Sequence, residues 1–434
     1  MLTHPEAKHP AACWPASEKN EEMIIFCEEC GARNDLRSDK LGEHLHTFEC
    51  TECGQRLVVS KPSMGEGGLN AFAEMPLECG AHELSGKPVS VMIVDDSTLL
   101  RKILKEMFAT DDQLQVVGEA EHGLKALEMI PELKPDVVSL DVNMPVMDGL
   151  TTIKHIMIKC PTPVVMFSSL TGQGSLETFE SLRYGAVDFL QKPSSLLKED
   201  LKSQHEMIIS RVKNAARAGI DTIRYLRPAK VALEMKTIGT QECRRVFAIG
   251  SSYGGYGSLL GLIPEIKPQL PAAFISVLYA AAPHVDAFVS YLDQHSQMPV
   301  RRAVDGEPLH SGTCYLASAF EQVKVKNGSG ELSIHLQPKN IESPGQASDT
   351  LMASLSDTLK DRASGILLSG IGEDGMAGIG AILKGGGNAI IQEPRTCLCN
   401  DTTAMTARQY GLSAVLPGTT MAEAIQRYCL DTSH

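Results

Sequence analysis

The sequence predicts an α/β protein: two doubly wound parallel sheets in succession, preceded by a small metal-stabilised ribbon. Three observations carry this. Short apolar runs alternate with helix-period stretches from Val89 to about residue 215, and again from Val246 to about residue 430. Several of those runs stop at residues able to do chemistry, as parallel strands do when a site lies at their carboxyl ends. Two Cys-x2-Cys pairs stand ahead of both alternations.

The composition sets limits. A chain of 434 residues has room for two or three domains, each with its own core. A formal charge of −13 argues against a sequence-independent nucleic-acid binder and against attraction to an anionic membrane. The opening MLTHPEAKHP is polar and carries prolines, so it does not read as a signal peptide. The longest apolar stretch, LPAAFISVLYAAAP, is too short to span a bilayer and reads as a buried strand. Without a secretory signal, the 12 cysteines read as thiols or metal ligands, and the cytoplasm is the expected compartment.

The first element expected is a ribbon over residues 22–60. Cys27, Cys30, Cys50 and Cys53 form a C-x2-C, x19, C-x2-C pattern, within zinc-site spacing, with Gly31 and Gly54 directly after the pairs. Glycine there permits the positive φ of a tight knuckle that aims two thiolates at one Zn²⁺. So small a segment cannot bury a core, so the metal must supply its folding energy. The segment resembles a zinc ribbon. His44 and His46 are surplus to a complete set of four thiolates, and Cys13 and Cys79 receive no role. Residues 61–87, rich in Gly, Pro, Ser and Glu, read as a linker.

Residues 88–215 form the first alternation. Its helices, TLLRKILKEMF, GLKALEMI, GLTTIKHIMI and LETFESLRYG, carry apolar stripes that belong to a core. VSVMIVDD ends in Asp95-Asp96, DVVSLD in Asp141, VVMFSS in Ser168-Ser169 and AVDFLQKP in Lys192-Pro193. A single aspartate after a strand is a common turn former. Three carboxylates, a hydroxyl and a lysine at four strand ends suit a hard cation such as Mg²⁺, beside which a carboxylate can attack phosphorus. This stretch closely resembles response-regulator receiver domains, which are flavodoxin-like. The resemblance implies that Asp141 is the phospho-acceptor and that Asp95, Asp96, Asp141 and the carbonyl of Asn143 hold Mg²⁺. It also implies that Ser168 and Lys192 bind phosphoryl oxygens, and that Phe189 stands at the aromatic switch position.

A basic, irregular interdomain linker, residues 216–244, leads to the second alternation, residues 245–430. There VFAIGSSYGGYGSLLGLIPEI reads as strand, glycine-rich turn and helix, and Gly250-Ser251-Ser252-Tyr253-Gly254 fits G-x-S-x-G. That turn exposes a nucleophilic serine, and the Tyr253 amide at the following helix start suits an oxyanion. The same pattern also fits a phosphate loop or a plain tight turn. With ILLSGIGEDGMAGI further on, residues 88–430 resemble the chemotaxis protein-glutamate methylesterases, a receiver fused to a Rossmann-like methylesterase domain. The resemblance implies hydrolysis of methyl esters, and of some amides, on receptor glutamates. It implies control by a chemotaxis-type histidine kinase and methyl-accepting chemotaxis receptors as substrate, with no nucleic acid and no membrane insertion. Ser252 carries over as nucleophile and Asp374 as the triad aspartate.

The triad histidine does not carry over: Tyr279 occupies its position. A phenol with a pKa of about 10 is a poor general base at neutral pH. His284, five residues on, is the one nearby imidazole that the sequence offers instead. Pocket walls depart too, at Ala317-Ser318-Ala319-Phe320-Glu321, at Gly345-Gln346 with Asp349 retained, and at Asn400-Asp401-Thr402-Thr403. Two functions follow: a phosphorylation-controlled serine esterase or amidase, or a regulator that keeps the esterase fold and works by binding.

Overall fold

The structure is a computed structural model. It describes residues 22–26, 33–37, 46–49, 56–59, 87–168, 173–193, 198–219, 236, 243–328, 330–338, 346–412 and 414–430. Near the N-terminus β1 (Glu22–Phe26) pairs antiparallel with β2 (Arg33–Arg37), and β3 (His46–Glu49) with β4 (Arg56–Val59). The sequence places Cys27 directly after β1 and Cys50 directly after β3. The four cysteines lie outside the described residues, as do Cys13, Cys79 and nearly all of the linker 61–87.

The next sheet follows the alternation read from the sequence: β5 (Val89–Val94), α1 (Thr98–Phe108), β6 (Leu114–Ala120), α2 (Gly123–Leu133), β7 (Val137–Asp141), α3 (Gly149–Lys159), β8 (Val164–Ser168), α4 (Gln173–Arg183), β9 (Asp188–Gln191) and α5 (Lys198–Ala215). Its strands run parallel in the order β6-β5-β7-β8-β9. β7 and β8 are buried along their whole length, which is why both read as unbroken apolar runs. The boundaries of α1 are set by chemistry: the Ser97 hydroxyl accepts the Leu100 amide as N-cap. Its buried face, Leu100, Leu104, Met107 and Phe108, follows helical spacing and packs on β5, β6 and α5. Each such side chain, taken fully out of water, is worth about 1.5–3 kcal/mol.

The second sheet is built from β10 (Arg245–Gly250), α6 (Gly255–Leu262), β11 (Ala272–Leu278), α7 (Ala282–His295), β12 (Val300–Arg302) and β13 (Thr313–Ser318). A hairpin of β14 (Glu321–Gly328) and β15 (Glu331–Pro338) interrupts it. It resumes with α8 (Ala347–Leu359), β16 (Ala363–Leu367), α9 (Met376–Lys384), β17 (Asn388–Gln392), α10 (Asp401–Tyr410), β18 (Val415–Leu416) and α11 (Gly418–Leu430). Its strands are parallel in the order β12-β13-β11-β10-β16-β17-β18. The chain starts at β10, moves out through β11 to β12 and β13, then returns to β16 on the other side. The strand order therefore reverses at β10, and ligands bind in the crevice beyond the carboxyl ends at such a point. The stretch LPAAFISVLYAAAP supplies β11, buried throughout. No helix among the described residues is long and apolar enough to cross a membrane.

Candidate functional sites

At the carboxyl edge of the first sheet, Asp95, Asp96 and Asp141 bring carboxylate oxygens within 4.8 Å of one another. β5 and β7 are hydrogen-bonded neighbours that end side by side, which places these residues together. Lys192, just past β9, bridges them: its Nζ lies 2.9 Å from Asp95 Oδ2 and 2.7 Å from Asp141 Oδ2. Asp95 and Asp141 are buried, and Asp96 is exposed. Burial holds the Asp141 carboxyl above the usual carboxylate range, against the lowering effect of Lys192. Burial also opposes the charge of Lys192, but Asp141 and Asp95 outweigh it and push the ammonium up. Ser168 is buried at the end of β8, and its carbonyl accepts the Lys192 amide at 3.0 Å. The exposed Asn143 donates its amide to Asp141 Oδ1 at 3.3 Å. An all-oxygen set with one open side fits Mg²⁺.

The turn beyond Asp141 depends on one glycine. The Gly149 amide donates to the Val142 carbonyl, and a Cβ there would lie 2.1 Å from the Asp141 carbonyl oxygen. Gly149→Ala is therefore expected to destabilise this domain by about 1–3 kcal/mol, as overpacking does. Thermal denaturation of the full chain checks it, and an unchanged first transition would refute it.

The second site lies in the crevice at β10. Ser252 follows β10 and leads into α6, whose cap Gly254 has φ +75° and whose Cβ would meet Ser369 Oγ at 2.6 Å. Tight backbone of this kind accepts only glycine. The Ser252 hydroxyl accepts the Ile371 amide at 2.8 Å and donates to the Ile371 carbonyl at 3.1 Å. Asp374, in the loop after β16, accepts the amides of Ser348 and Asp349 at the start of α8, at 2.9 and 3.1 Å. Asp349 in turn accepts the amides of Gly375 and Gly378. The two loops thus lock each other, with the carboxylate at a helix N-terminus where negative charge is favoured. Burial, then the neighbouring Asp374, holds the Asp349 carboxyl above its usual range.

Tyr279, just beyond β11, donates its hydroxyl to Asp374 Oδ2 at 2.5 Å. Burial, then Asp374, pushes the phenol far above its ordinary value, so it stays a neutral donor. Ser252, Tyr279 and Asp374 face one cavity of about 630 Å³. No histidine lines it among the described residues. His284 sits in the first turn of α7, its ring 6.1 Å from and stacked on that of Phe189. Burial, then the Arg211 charge, holds its imidazole below the ordinary value. Two of the departing segments meet the cavity: Phe320 forms part of the wall, and so does Gln346, which caps α8 at φ +71°. From a third segment, Thr402 donates to the Gly372 carbonyl at 2.7 Å.

Part of the cavity wall comes from the first sheet's domain, in line with the resemblance, which implies that the receiver covers the esterase mouth. Asp188, Met207 and Arg211 line it together with Ser252 and Tyr279. Phe189 is buried, its ring 5.0 Å from Tyr256 and 5.2 Å from Phe179. A second contact runs along the 397–399 loop: Gly219 donates to the Leu398 carbonyl at 2.8 Å, and Leu398 packs against the first sheet's core.

A receiver-type sheet whose α5 helps to wall a serine cavity on the next sheet defines a response regulator with an α/β effector of serine-esterase type. Residues 91–204 match the family model described as response regulator receiver domain, and residues 247–425 the one described as CheB methylesterase. A protein-glutamate methylesterase/protein-glutamine glutaminase of Pyrococcus abyssi is 34% identical over 319 residues, 73% of this chain and 86% of that protein. Its counterpart in Symbiobacterium thermophilum is 32% identical over 354 residues, 79% of this chain and 97% of the relative. One from Xanthomonas euvesicatoria pv. vesicatoria is 35% identical over 316 residues, 70% and 87% of the two chains. The chain belongs to the CheB family of receiver–methylesterase fusions.

Proposed function

We propose that this protein is a phosphorylation-controlled chemotaxis regulator of the protein-glutamate methylesterase/protein-glutamine glutaminase type. It receives phosphate at Asp141 from a chemotaxis-type histidine kinase and engages methylated glutamates of methyl-accepting chemotaxis receptors at the Ser252 cavity. The observation that carries this is that Ser252 and Asp374 share one cavity with Arg211 and Asp188 of the receiver. In the receiver, Asp95, Asp96, Asp141 and the Asn143 carbonyl are the residues that would hold Mg²⁺, which supplies charge neutralisation between carboxylate and phosphoryl oxygens when bound. Lys192, 2.7 Å from Asp141, and Ser168, at the end of the neighbouring strand β8, would take up the phosphoryl oxygens. Free cysteines such as the buried Cys314 and Cys399 support a cytoplasmic setting.

One observation favours the second reading, a regulator that binds receptors with little turnover. The group that should take the proton of Ser252 is a phenol already committed to Asp374. Methanol release from methylated receptor membranes, beside co-sedimentation with them, separates the two. Release abolished by Ser252→Ala supports the esterase. Phosphodonor-dependent co-sedimentation without release supports the binder.

We also propose that Cys27, Cys30, Cys50 and Cys53 hold one Zn²⁺. The support is their spacing and the two described hairpins that flank them. Metal analysis of the full chain should find about one Zn²⁺ per molecule, and much less after Cys27→Ser. Equal zinc in the two proteins would rule the site out.

A further inference from the structure

Arg211 lies on α5 of the receiver, yet its guanidinium works in the esterase cavity. Its Nη1 lies 3.1 and 3.0 Å from the two carboxylate oxygens of Asp188, and its Nη2 donates to the Tyr279 carbonyl at 2.8 Å. Its Cζ stands 5.7 Å from the centre of the Tyr253 ring. The pair is sequestered, with 16% of the Arg211 and 5% of the Asp188 side chain exposed. Asp188 Oδ1 also accepts the amide of Phe189, at 2.9 Å. One guanidinium thus ties the residue before the switch position to the triad position and to the residue after the candidate nucleophile. A planar fork can hold a carboxylate and a carbonyl at once, whereas an ammonium is a point charge.

The surroundings explain why this tie matters. Asp188 opens the four-residue β9, and Lys192 stands just beyond its end, bridging Asp95 and Asp141. Whatever draws Lys192 elsewhere therefore pulls on the strand that holds Asp188 and Phe189. Around Phe189, the buried Tyr256 hydroxyl and His284 Nδ1 have no hydrogen-bond partner among the described residues. Such groups regain partners when water enters, so these contacts do little to keep the junction closed. The charged fork is the directional contact nearest Phe189 and the cavity; the Tyr291–Glu180 and Arg217–Asp401 contacts lie farther along the junction.

We propose that Arg211, anchored by Asp188, is a positioning residue of the esterase site: it fixes the Tyr279 segment beside Ser252 and Asp374. This deepens the function proposed above and rests on it for what the cavity binds. Partnerless, a buried charge is strongly disfavoured, so losing either member should release the other.

The test is hydrogen exchange of the full chain, read by mass spectrometry over residues 278–284, with and without beryllofluoride and Mg²⁺ as phosphoryl mimic. Arg211→Ala should speed exchange there about tenfold without the mimic, with the β5 and β7 peptides unchanged. Asp188→Asn should act in the same direction. Arg211→Lys keeps the charge but loses the fork, and should restore only part of the protection. A general loss of stability would not give this graded, local pattern. If Arg211→Ala leaves residues 278–284 as protected as in the parent, the proposal is overturned. It is overturned equally if Arg211→Lys protects no better than alanine. If the variants loosen the segment but the mimic leaves the parent unchanged, the positioning role stands and control by phosphorylation falls.

Discussion

Asp141→Asn is expected to abolish Mg²⁺-dependent labelling by a small phosphodonor. The carboxylate is the attacking group, and an amide of the same shape has no oxygen able to form an acyl phosphate. Its geometry is otherwise undemanding to replace. Lys192 keeps its contact with Asp95 at 2.9 Å, and the amide can still accept from Asn143. The loss of labelling should not be a loss of fold, and the sign of the Asp141 shift says why. Burial raises its folded pKa. A carboxyl raised in this way contributes stability that is present below its unfolded pKa and is lost as pH rises through the folded value. At neutral pH the charged form is therefore a cost, and the neutral asparagine should be at least as stable as the parent. Labelling and thermal denaturation on one preparation check both halves. A variant that still labels like the parent would remove Asp141 from the role of acceptor.

Much of this molecule was legible in its sequence, for a physical reason. Parallel strands covered on both faces must be continuous apolar runs, so β7, β8 and β11 announced themselves, and the residues that ended the runs were those at the sheet edges. Asp95, Asp141 and Lys192 meet as the strand ends required, and Ser252, Tyr279 and Asp374 share one cavity. Two kinds of fact left no signature. Ser252 is held by the backbone of Ile371, and backbone groups are common to every residue type. Arg211 lay within an apparently ordinary basic helix, and its contact with Tyr279 spans 68 positions between two domains. Docking of that kind depends on surfaces that exist only after each sheet has folded. The one available clue was Asp188, a charged residue opening an apolar strand directly before Phe189. His284 shows the converse limit: the sequence placed it near the start of a helix, but only packing decides that its ring turns to Phe189.

Tyr279→His is expected to raise methanol release from methylated receptors, from near background in the parent by about 10²–10³-fold, out of roughly 10⁶ that loss of a triad base can cost. In the parent the Ser252 hydroxyl donates to the Ile371 carbonyl, not to a base, and the phenol donates to Asp374. Raising the pH through 10, where a free phenol ionises, should not unlock the parent, because burial and Asp374 hold this phenol protonated well beyond that point. An imidazole at position 279 changes the chemistry at one stroke. Asp374, held by the amides of Ser348 and Asp349, can accept from one ring nitrogen, fix the tautomer and stabilise the imidazolium. The gain should stop short of a native enzyme for two reasons. An imidazole is shorter than a phenol, so it does not reach Asp374 from the same backbone without adjustment. Ser252 must also leave its two contacts with Ile371 to face the ring. Ser252→Ala in the Tyr279→His background should return release to background, which ties the gain to the nucleophile. Vigorous release by the unaltered chain, lost in both Ser252→Ala and His284→Ala, would show instead that His284 swings from Phe189 into the cavity and serves as the base.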